Sequence, residues 1–101
     1  MEERFNMLPI SYQEDIQKAI EILKKHGVKE IYIFGSIANG KFDKYSDIDI
    51  AVKGLNPRIY YKVAGVLFFE LENNFDLIDL DDTQNDFSQM LLKQNSLIKI
   101  W

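Results

Sequence analysis

Two aspartates separated by a single residue are the clearest sign of chemistry in this sequence. Asp47 and Asp49 open an isoleucine- and valine-rich run that predicts a strand from Asp47 to Val52. Alternation along a strand puts both carboxylates on one face, about 6–7 Å apart at a rise of ~3.3 Å per residue. Two such carboxylates repel each other, and a divalent cation bound to their oxygens would remove that repulsion. The pair therefore predicts a Mg²⁺ site.

A glycine–serine turn precedes the aspartate pair in the chain. Gly35 and Ser36 follow a predicted strand from Val28 to Phe34, and a helical turn can begin at Ser36. The backbone N–H groups of such a turn, together with a hydroxyl, can bind an anion, of which phosphate is the obvious one. Taken alone, the dipeptide is more simply explained as a turn that caps a helix.

A third acidic residue is expected on a later strand, from Phe75 to Leu80. Alternation puts Asp76 and Asp79 on opposite faces, so only one of them can face Asp47 and Asp49. The position of Asp76 near the start of the strand favours it, and Asp79 remains the alternative.

Apolar periodicity and capping residues predict the helices that position these strands. His26, the only histidine, is expected to interact with the dipole at a helix C-terminus and not to act in catalysis. The predicted helices are Tyr12 to His26, Pro57 to Asn73 and Gln84 to Gln94, followed by an apolar tail, Leu97 to Trp101, that docks on the sheet or in an interface. The predicted caps are a capping box of Ser11 with Glu14, C′ Gly27, Asn56 before Pro57, Thr83 or Asp82, and Asn95.

The predicted second helix is apolar over more of its surface than one packed face requires. A stripe about 100° wide is enough to pack a helix on a sheet. The surplus of aromatic residues predicts a surface for a second copy or another protein, and deep burial in the core is the alternative.

Composition bounds the class of protein. The 101 residues, 47% hydrophobic with five Gly and two Pro, predict a single compact domain spanning 1–101. The absence of cysteine excludes disulfides and thiolate metal sites. A net charge of −4 disfavours nucleic-acid binding. Neither a signal peptide nor an apolar run of ~20 residues is recognisable, so we expect a cytoplasmic protein without a membrane segment.

Three motifs in this order carry a family resemblance: Gly35-Ser36, Asp47-Ile48-Asp49 ten residues later, and Phe75-Asp76-Leu77 on a later strand. Together they resemble the DNA polymerase β-type nucleotidyltransferase superfamily over nearly the whole chain. Length and layout are similar to its shortest branch, the minimal nucleotidyltransferase (MNT) domains. The resemblance implies an α+β fold (an α/β sandwich), a small mixed β-sheet with helices packed on it. The Gly-Ser pair alone or the Asp-x-Asp pair alone would mean little, but both in this order between strands form a fairly specific pattern.

The resemblance implies a role for each motif. Asp47, Asp49 and Asp76 would hold two Mg²⁺ ions, and Asp76 would help to activate an acceptor hydroxyl. Gly35 and Ser36 would bind the triphosphate of the nucleotide donor, ATP.

The resemblance also implies a partner. MNT proteins similar to this chain are usually paired with a helical HEPN-domain protein, either as a two-component nucleotidyltransferase or as a toxin–antitoxin pair. In the second case the MNT antitoxin transfers AMP from ATP to a tyrosine of the HEPN ribonuclease. The expected function is therefore Mg²⁺-dependent transfer of a nucleoside monophosphate to a hydroxyl. The alternative is a non-catalytic module that neutralises or scaffolds a HEPN-type partner by occlusion, and a homo-oligomer is a further option.

Overall fold

A mixed β-sheet forms the centre of the fold. The computed structural model describes residues 2–43, 45–94 and 96–101. Within these ranges four strands form one sheet in the order β3-β2-β1-β4. Strand β2 is antiparallel to β1 and parallel to β3, and β4 is antiparallel to β1. The strands are β1 (Glu30–Phe34), β2 (Ile48–Lys53), β3 (Phe75–Asp79) and β4 (Ile98–Lys99).

Helices connect and cover these strands. The three predicted strands are found within two residues of their expected bounds, and the α+β class with a small mixed sheet is confirmed. The helices are α1 (Glu2–Met7), α2 (Ile10–Lys25), α3 (Gly35–Asn39), a 3-10 turn (Pro57–Ile59), α4 (Tyr60–Glu70) and α5 (Asp86–Gln94).

The two faces of the sheet are covered unequally. We call the face packed against α2 and α4 the helix face, and it carries the larger core of aliphatic residues. The opposite face, which we call the second face, carries a smaller cluster under α5. The helix-face core includes Ile31, Ile33, Ile48, Ile50, Val52, Leu77, Leu23, Val63 and Leu67, and the second-face cluster is Phe34, Ala51, Leu80 and Leu91.

The start of α2 differs from the prediction. Pro9 is the N-cap residue, and no side chain caps the helix there, so the predicted capping box of Ser11 with Glu14 is wrong. The Pro9 carbonyl accepts hydrogen bonds from the backbone N–H groups of Tyr12 (3.0 Å) and Gln13 (3.1 Å). Proline suits this position because its missing N–H would have no intrahelical partner. Ser11 therefore lies inside the helix.

The end of α2 is as predicted. Nδ1 of His26 lies 2.8 Å from the Ile22 carbonyl, to which it donates a hydrogen bond. Gly27 follows with a φ of 87°, the left-handed conformation of a C′ glycine. The backbone N–H of Val28 then reaches the Leu23 carbonyl at 3.1 Å. His26 thus stabilises the helix terminus.

The predicted second helix is shorter than expected. Asn56 caps it, because its side chain accepts a hydrogen bond from the Arg58 N–H at 3.0 Å, as the Asn-Pro pair predicts. The first three residues form the 3-10 turn, and α4 ends at Glu70 instead of Asn73. The helix stops early because the backbone N–H groups of Glu72 and Asn73 donate to the side chain of Asp15.

The last helix also begins later than predicted. Asn85 caps α5 by accepting hydrogen bonds from the N–H groups of Phe87 (2.9 Å) and Ser88 (3.3 Å). The predicted cap at Thr83 or Asp82 is therefore wrong, and the predicted stop at Asn95 lies outside the described residues.

The C-terminal tail docks on the sheet, along the edge of β1 that faces away from β2. Docking on the sheet was one of the two outcomes predicted for this tail. The N–H of Ile31 donates to the Trp101 carbonyl, and the N–H of Ile100 donates to the Ile31 carbonyl, both at 2.8 Å. Among the described residues, no helix has the length and apolar character needed to cross a membrane.

Candidate active site

Two carboxylates stand side by side on neighbouring strands. Asp49 of β2 and Asp76 of β3 are direct partners in the parallel ladder, on the second face of the sheet. Asp79 is paired with Val52, whose side chain lies in the helix-face core, so Asp79 points away from Asp49. The Asp79 side chain instead accepts a hydrogen bond from the N–H of Asp81 at 2.9 Å. Of the two acids considered on this strand, Asp76 is the one beside Asp49.

The surroundings of Asp49 disfavour its charged form. Burial, the charge of Asp76, a hydrogen bond with Asp76 and the charge of Asp47 together raise the pKa of Asp49 to about 6. Asp49 is half-buried, whereas Asp76 is exposed. When the pair holds one proton, that proton forms the hydrogen bond between the two carboxyl groups, which is the usual outcome when two carboxylates share one site.

Asp47 is held less firmly than Asp49. It lies one residue before β2 and is exposed, so no ladder pairing fixes it. Its charge contributes to the raised pKa of both Asp49 and Tyr12. It also lines a cleft of about 510 Å³ together with Glu72 and Phe75.

Over residues 2–43, 45–94 and 96–101, no three acidic or histidine side chains converge into a ready-made cation cage. The structure therefore brings Asp49 and Asp76 together and leaves Asp47 nearby at the start of the strand. Three carboxylates without a counterion repel each other, which favours this arrangement.

Gly35 lies against the Asp49 carboxylate. A Cβ atom at Gly35 would lie only 2.1 Å from Oδ2 of Asp49, so a larger residue fits there only if that carboxylate shifts. Its φ of 73° is also in the left-handed region that favours glycine. The contact arises because Phe34 and Asp49 are direct partners across β1 and β2. This glycine lets the turn pass directly beside the acid.

The short helix α3 starts at this glycine. It was expected at Ser36 and is found at Gly35–Asn39, anchored by the buried side chains of Ile37 and Ala38. Gly40 ends it in the left-handed conformation, donating to the Ser36 carbonyl. Ser36 itself is half-buried at the start of this helix. The Gly-Ser turn therefore lies next to the pair of Asp49 and Asp76 in the folded structure.

Two further residues, which sequence reasoning missed, hold the strands that carry the acids. Asp15 and Tyr12 of α2 are 1% and 3% exposed. Asp15 accepts hydrogen bonds from the segment before β3, and Tyr12 donates to the Ser46 carbonyl before β2. The available signal was an acid on the apolar stripe of a helix, since Asp15 lies between Tyr12 and Ile16 on the buried face.

The donor set at this site fits a hard divalent cation. Asp47, Asp49 and Asp76 supply only carboxylate oxygens, the ligands that Mg²⁺ prefers. In the part of the chain that the structure describes, the charges that act on the pKa of Asp49 are those of the other two carboxylates, Asp76 and Asp47, and both raise it. A cation there would relieve the repulsion between them, and phosphate oxygens are its usual further ligands.

Comparison with known proteins identifies the family. Residues 17–100 match the family model described as "Polymerase beta, Nucleotidyltransferase". A search of curated proteins gave no match.

Several solved structures share the fold. One is a toxin–antitoxin complex with AMP-PNP, at 29% identity and a TM-score of 0.67 over 84% of this chain and 71% of that chain. A second is the MntA–HepT toxin–antitoxin complex, at 26% identity and a TM-score of 0.63 over 88% of this chain and 71% of that chain. A third is a tri-AMPylated HEPN toxin in complex with its MNT antitoxin from Shewanella oneidensis, at 29% identity and a TM-score of 0.62 over the same shares, 88% and 71%.

The resemblance drawn from the three motifs is thereby confirmed. A family match over more than four-fifths of the chain, with the expected mixed sheet, leaves no other fold assignment. This chain belongs to the polymerase β-type nucleotidyltransferase family, as a domain of the MNT type.

Proposed function

We propose that this protein transfers AMP from ATP to a hydroxyl group, and that the acceptor is a tyrosine of a HEPN-domain partner protein. It would then act as the antitoxin of a HEPN/MNT toxin–antitoxin pair. The observation that carries the proposal is the pair of Asp49 and Asp76, with Gly35 of the Gly-Ser turn lying directly against the Asp49 carboxylate. Such a pair raises the free energy of the folded protein unless a cation neutralises it.

The reaction makes and breaks one bond at phosphorus. The acceptor oxygen bonds to the α-phosphorus of ATP, the bond from that phosphorus to the β-phosphate oxygen breaks, and pyrophosphate leaves. Divalent cations held by Asp47, Asp49 and Asp76, two in the family pattern, would stabilise the phosphate charge and lower the pKa of the attacking hydroxyl.

The residues have distinct roles in this proposal. Asp49, half-buried against Gly35, is the inner ligand, and Asp76, exposed beside it, is accessible to an acceptor and takes up its proton. Gly35 and Ser36 bind the triphosphate through the N–H groups and hydroxyl at the start of α3. Most of the catalytic effect is then positioning and charge stabilisation, as in phosphoryl transfer generally.

The nucleotide and the acceptor are supported by the similar structures. One of them is a complex with AMP-PNP, an ATP analogue, and another holds a tri-AMPylated HEPN toxin. Both are 29% identical to this chain. They support ATP as the donor and a HEPN-domain protein as the acceptor here.

A second candidate function is neutralisation of the partner by binding alone. The observation in its favour is the exposed aromatic surface of α4, where Tyr61, Phe68 and Phe69 are 86%, 73% and 87% exposed. The predicted surplus of apolar surface on this helix is therefore present, and patches of this kind mark protein interfaces.

Replacing Asp47 and Asp49 together by Asn separates the two functions. We expect the double variant to bind the HEPN-domain partner as tightly as the wild type, measured by calorimetry, because neither residue lies on α4. We also expect it to lose AMP transfer and the inhibition of the partner's ribonuclease that follows from it. Full inhibition by the double variant at equal occupancy would instead establish the binding function and contradict the enzymatic one.

A further inference from the structure

Two polar side chains of α2 are buried beneath the strands that bear the acids. Tyr12 and Asp15, which we call the α2 clamp, are 3% and 1% exposed. Residues three apart lie on the same face of a helix, so both side chains point toward the same end of the sheet. Their polar atoms are therefore in contact with protein and not with water.

Asp15 holds the segment that leads into β3. Its Oδ1 accepts a hydrogen bond from the N–H of Glu72 at 3.0 Å. Its Oδ2 accepts two from Asn73, at 2.8 Å from the backbone N–H and 2.9 Å from the side-chain amide. Charge-assisted hydrogen bonds of this kind are the strong ones. Phe75, the first residue of β3, follows two positions later.

Tyr12 holds the segment that leads into β2. Its hydroxyl donates to the Ser46 carbonyl at 2.8 Å. Ser46 immediately precedes Asp47, the residue that no ladder pairing fixes. This bond therefore anchors the chain at the point where the aspartate motif begins.

The two anchored segments are also joined to each other. The N–H of Ile48 donates to the Asn74 carbonyl at 2.9 Å. Because β2 and β3 are parallel, their first residues meet at the same end of the sheet. Helix α2 is hydrogen-bonded to the segment that precedes each of these strands. Strand β3 is an edge strand with β2 as its one neighbour in the described sheet, so the ladder holds it from one side. A slip of one residue would move Asp76 to the other face.

We infer that Tyr12 and Asp15 are positioning residues. They fix the register of β3 against β2, and thereby the spacing of Asp47, Asp49 and Asp76. This inference rests on the proposed nucleotidyl transfer, since the spacing matters only if the acids bind a cation together. Neither residue touches the nucleotide or the acceptor in this scheme. They act on the three acids only by holding the segments that precede β2 and β3.

Two substitutions test the clamp without removing bulk. Tyr12→Phe deletes only the hydroxyl that donates to Ser46. Asp15→Asn places an amide where three N–H donors converge, so at least one bond is lost. Leu23→Val, on the same helix and fully buried, is the matched control, because it weakens the core without touching either strand start.

The first readout uses the protein alone, without nucleotide. We expect amide hydrogen exchange at Ile48 to speed up in both clamp variants relative to Ile33 of β1. We expect Mn²⁺ affinity, from water-proton relaxation, to fall about tenfold, the usual scale for losing a group that orients metal ligands. In Leu23→Val the two amides should change together, and Mn²⁺ affinity should stay within about twofold of wild type.

The second readout separates positioning from general loss of structure. With partner and saturating cation, at a temperature where every variant is folded, kcat should fall in the clamp variants while the KM for ATP stays within about twofold. If Tyr12→Phe, which keeps the ring packing, matches Leu23→Val in Ile48 exchange, Mn²⁺ affinity and kcat, the positioning role is wrong. If the wild type itself binds no Mn²⁺ and transfers no AMP, the proposed function fails and the positioning role fails with it.

Discussion

Asp49 carries the electrostatic cost of the candidate site. It is half-buried, and its neighbours Asp76 and Asp47 add negative charge, so its pKa rises to about 6 in the folded protein. An acid whose pKa is raised on folding favours the folded state only while it is protonated. Its favourable contribution is full below about pH 4 and is lost as the pH rises through 6.

Neutralising this residue should stabilise the cation-free protein at neutral pH. A pKa raised from 3.8 to about 6 corresponds to about 3 kcal/mol, and solvent screening at this half-buried site reduces the expected gain to about 1–2 kcal/mol. We expect Asp49→Asn to raise the free energy of unfolding in urea by that amount at pH 7.5 and by nothing at pH 4. Glu21→Gln, at an exposed position on α2, is the control. Equal gains at both pH values would contradict the assignment.

Replacing Gly35 should destabilise the protein by more than backbone strain alone accounts for. Ala at either Gly35 or Gly40 is strained, because their φ values are 73° and 81°. A Cβ at Gly40 meets nothing within 4 Å, whereas at Gly35 it meets the Asp49 carboxylate at 2.1 Å. We expect Gly40→Ala to cost about 1–2 kcal/mol of stability and Gly35→Ala at least 1 kcal/mol more, measured by urea unfolding. Equal costs would show that Asp49 moves aside freely.

At the scale of the elements, α4 carries exposed aromatic side chains that packing on the sheet does not explain. Phe68 and Phe69 are adjacent, packed edge to face with ring centroids 6.1 Å apart, and both are largely exposed. Aromatic residues of this kind dominate the binding energy of protein interfaces. Packing on the sheet does not explain these two rings, and the proposed contact with a partner protein does.

Replacing the more exposed ring should weaken partner binding and leave folding intact. We expect Phe69→Ser to change the free energy of unfolding by less than about 0.5 kcal/mol, since the side chain contributes little to the core. Affinity for the HEPN-domain partner, measured by calorimetry, should fall at least about tenfold. Ile10→Ser, at a residue 64% exposed on α2, is the control and should not weaken binding. Unchanged affinity in Phe69→Ser would remove α4 from the interface.

Local patterns in the sequence were sufficient for β1, β2 and β3, for the end of α2 and for the helix start at Pro57. Alternation of apolar residues predicted the bounds of β2 and β3 to within one residue, and the Asn56-Pro57 pair correctly predicted a helix start. Both predictions succeeded because each depends only on residues that are close in the sequence. Asp15 was missed because its partners lie 57 and 58 residues away. The capping box at Ser11 failed because Pro9 started the helix first. Contacts between distant segments leave no periodic trace in one sequence.

For the whole molecule, the site lies where the sheet is least covered. The helix face is closed by α2 and α4, while the second face, which carries Asp49 and Asp76, has the smaller cluster under α5. A net charge of −4 adds to the need for a cation at the acids. Asp76 is exposed on this face, so the proposed nucleotide and acceptor would reach the acids from this side.

Cation binding should stabilise the folded molecule in a pH-dependent way. A ligand that binds only the folded state raises its stability by about 2.7 kcal/mol at a concentration 100 times the Kd. We expect Mg²⁺ to raise the Tm clearly at pH 7.5 and less at pH 5.5, where protonated Asp49 competes, since its pKa is about 6. The measurement is a thermal melt with and without chelator at both pH values. A gain larger at pH 5.5 would contradict binding by the ionised acids.

Intact-mass analysis of the partner tests the central claim most directly. The purified protein would be mixed with ATP, Mg²⁺ and the product of the neighbouring gene, with Asp49→Asn as the matched control. We predict one or more AMP-sized additions on the partner, absent with the control and absent when Mg²⁺ is chelated. A partner that stays unmodified while forming an equally stable complex with both proteins would contradict the account.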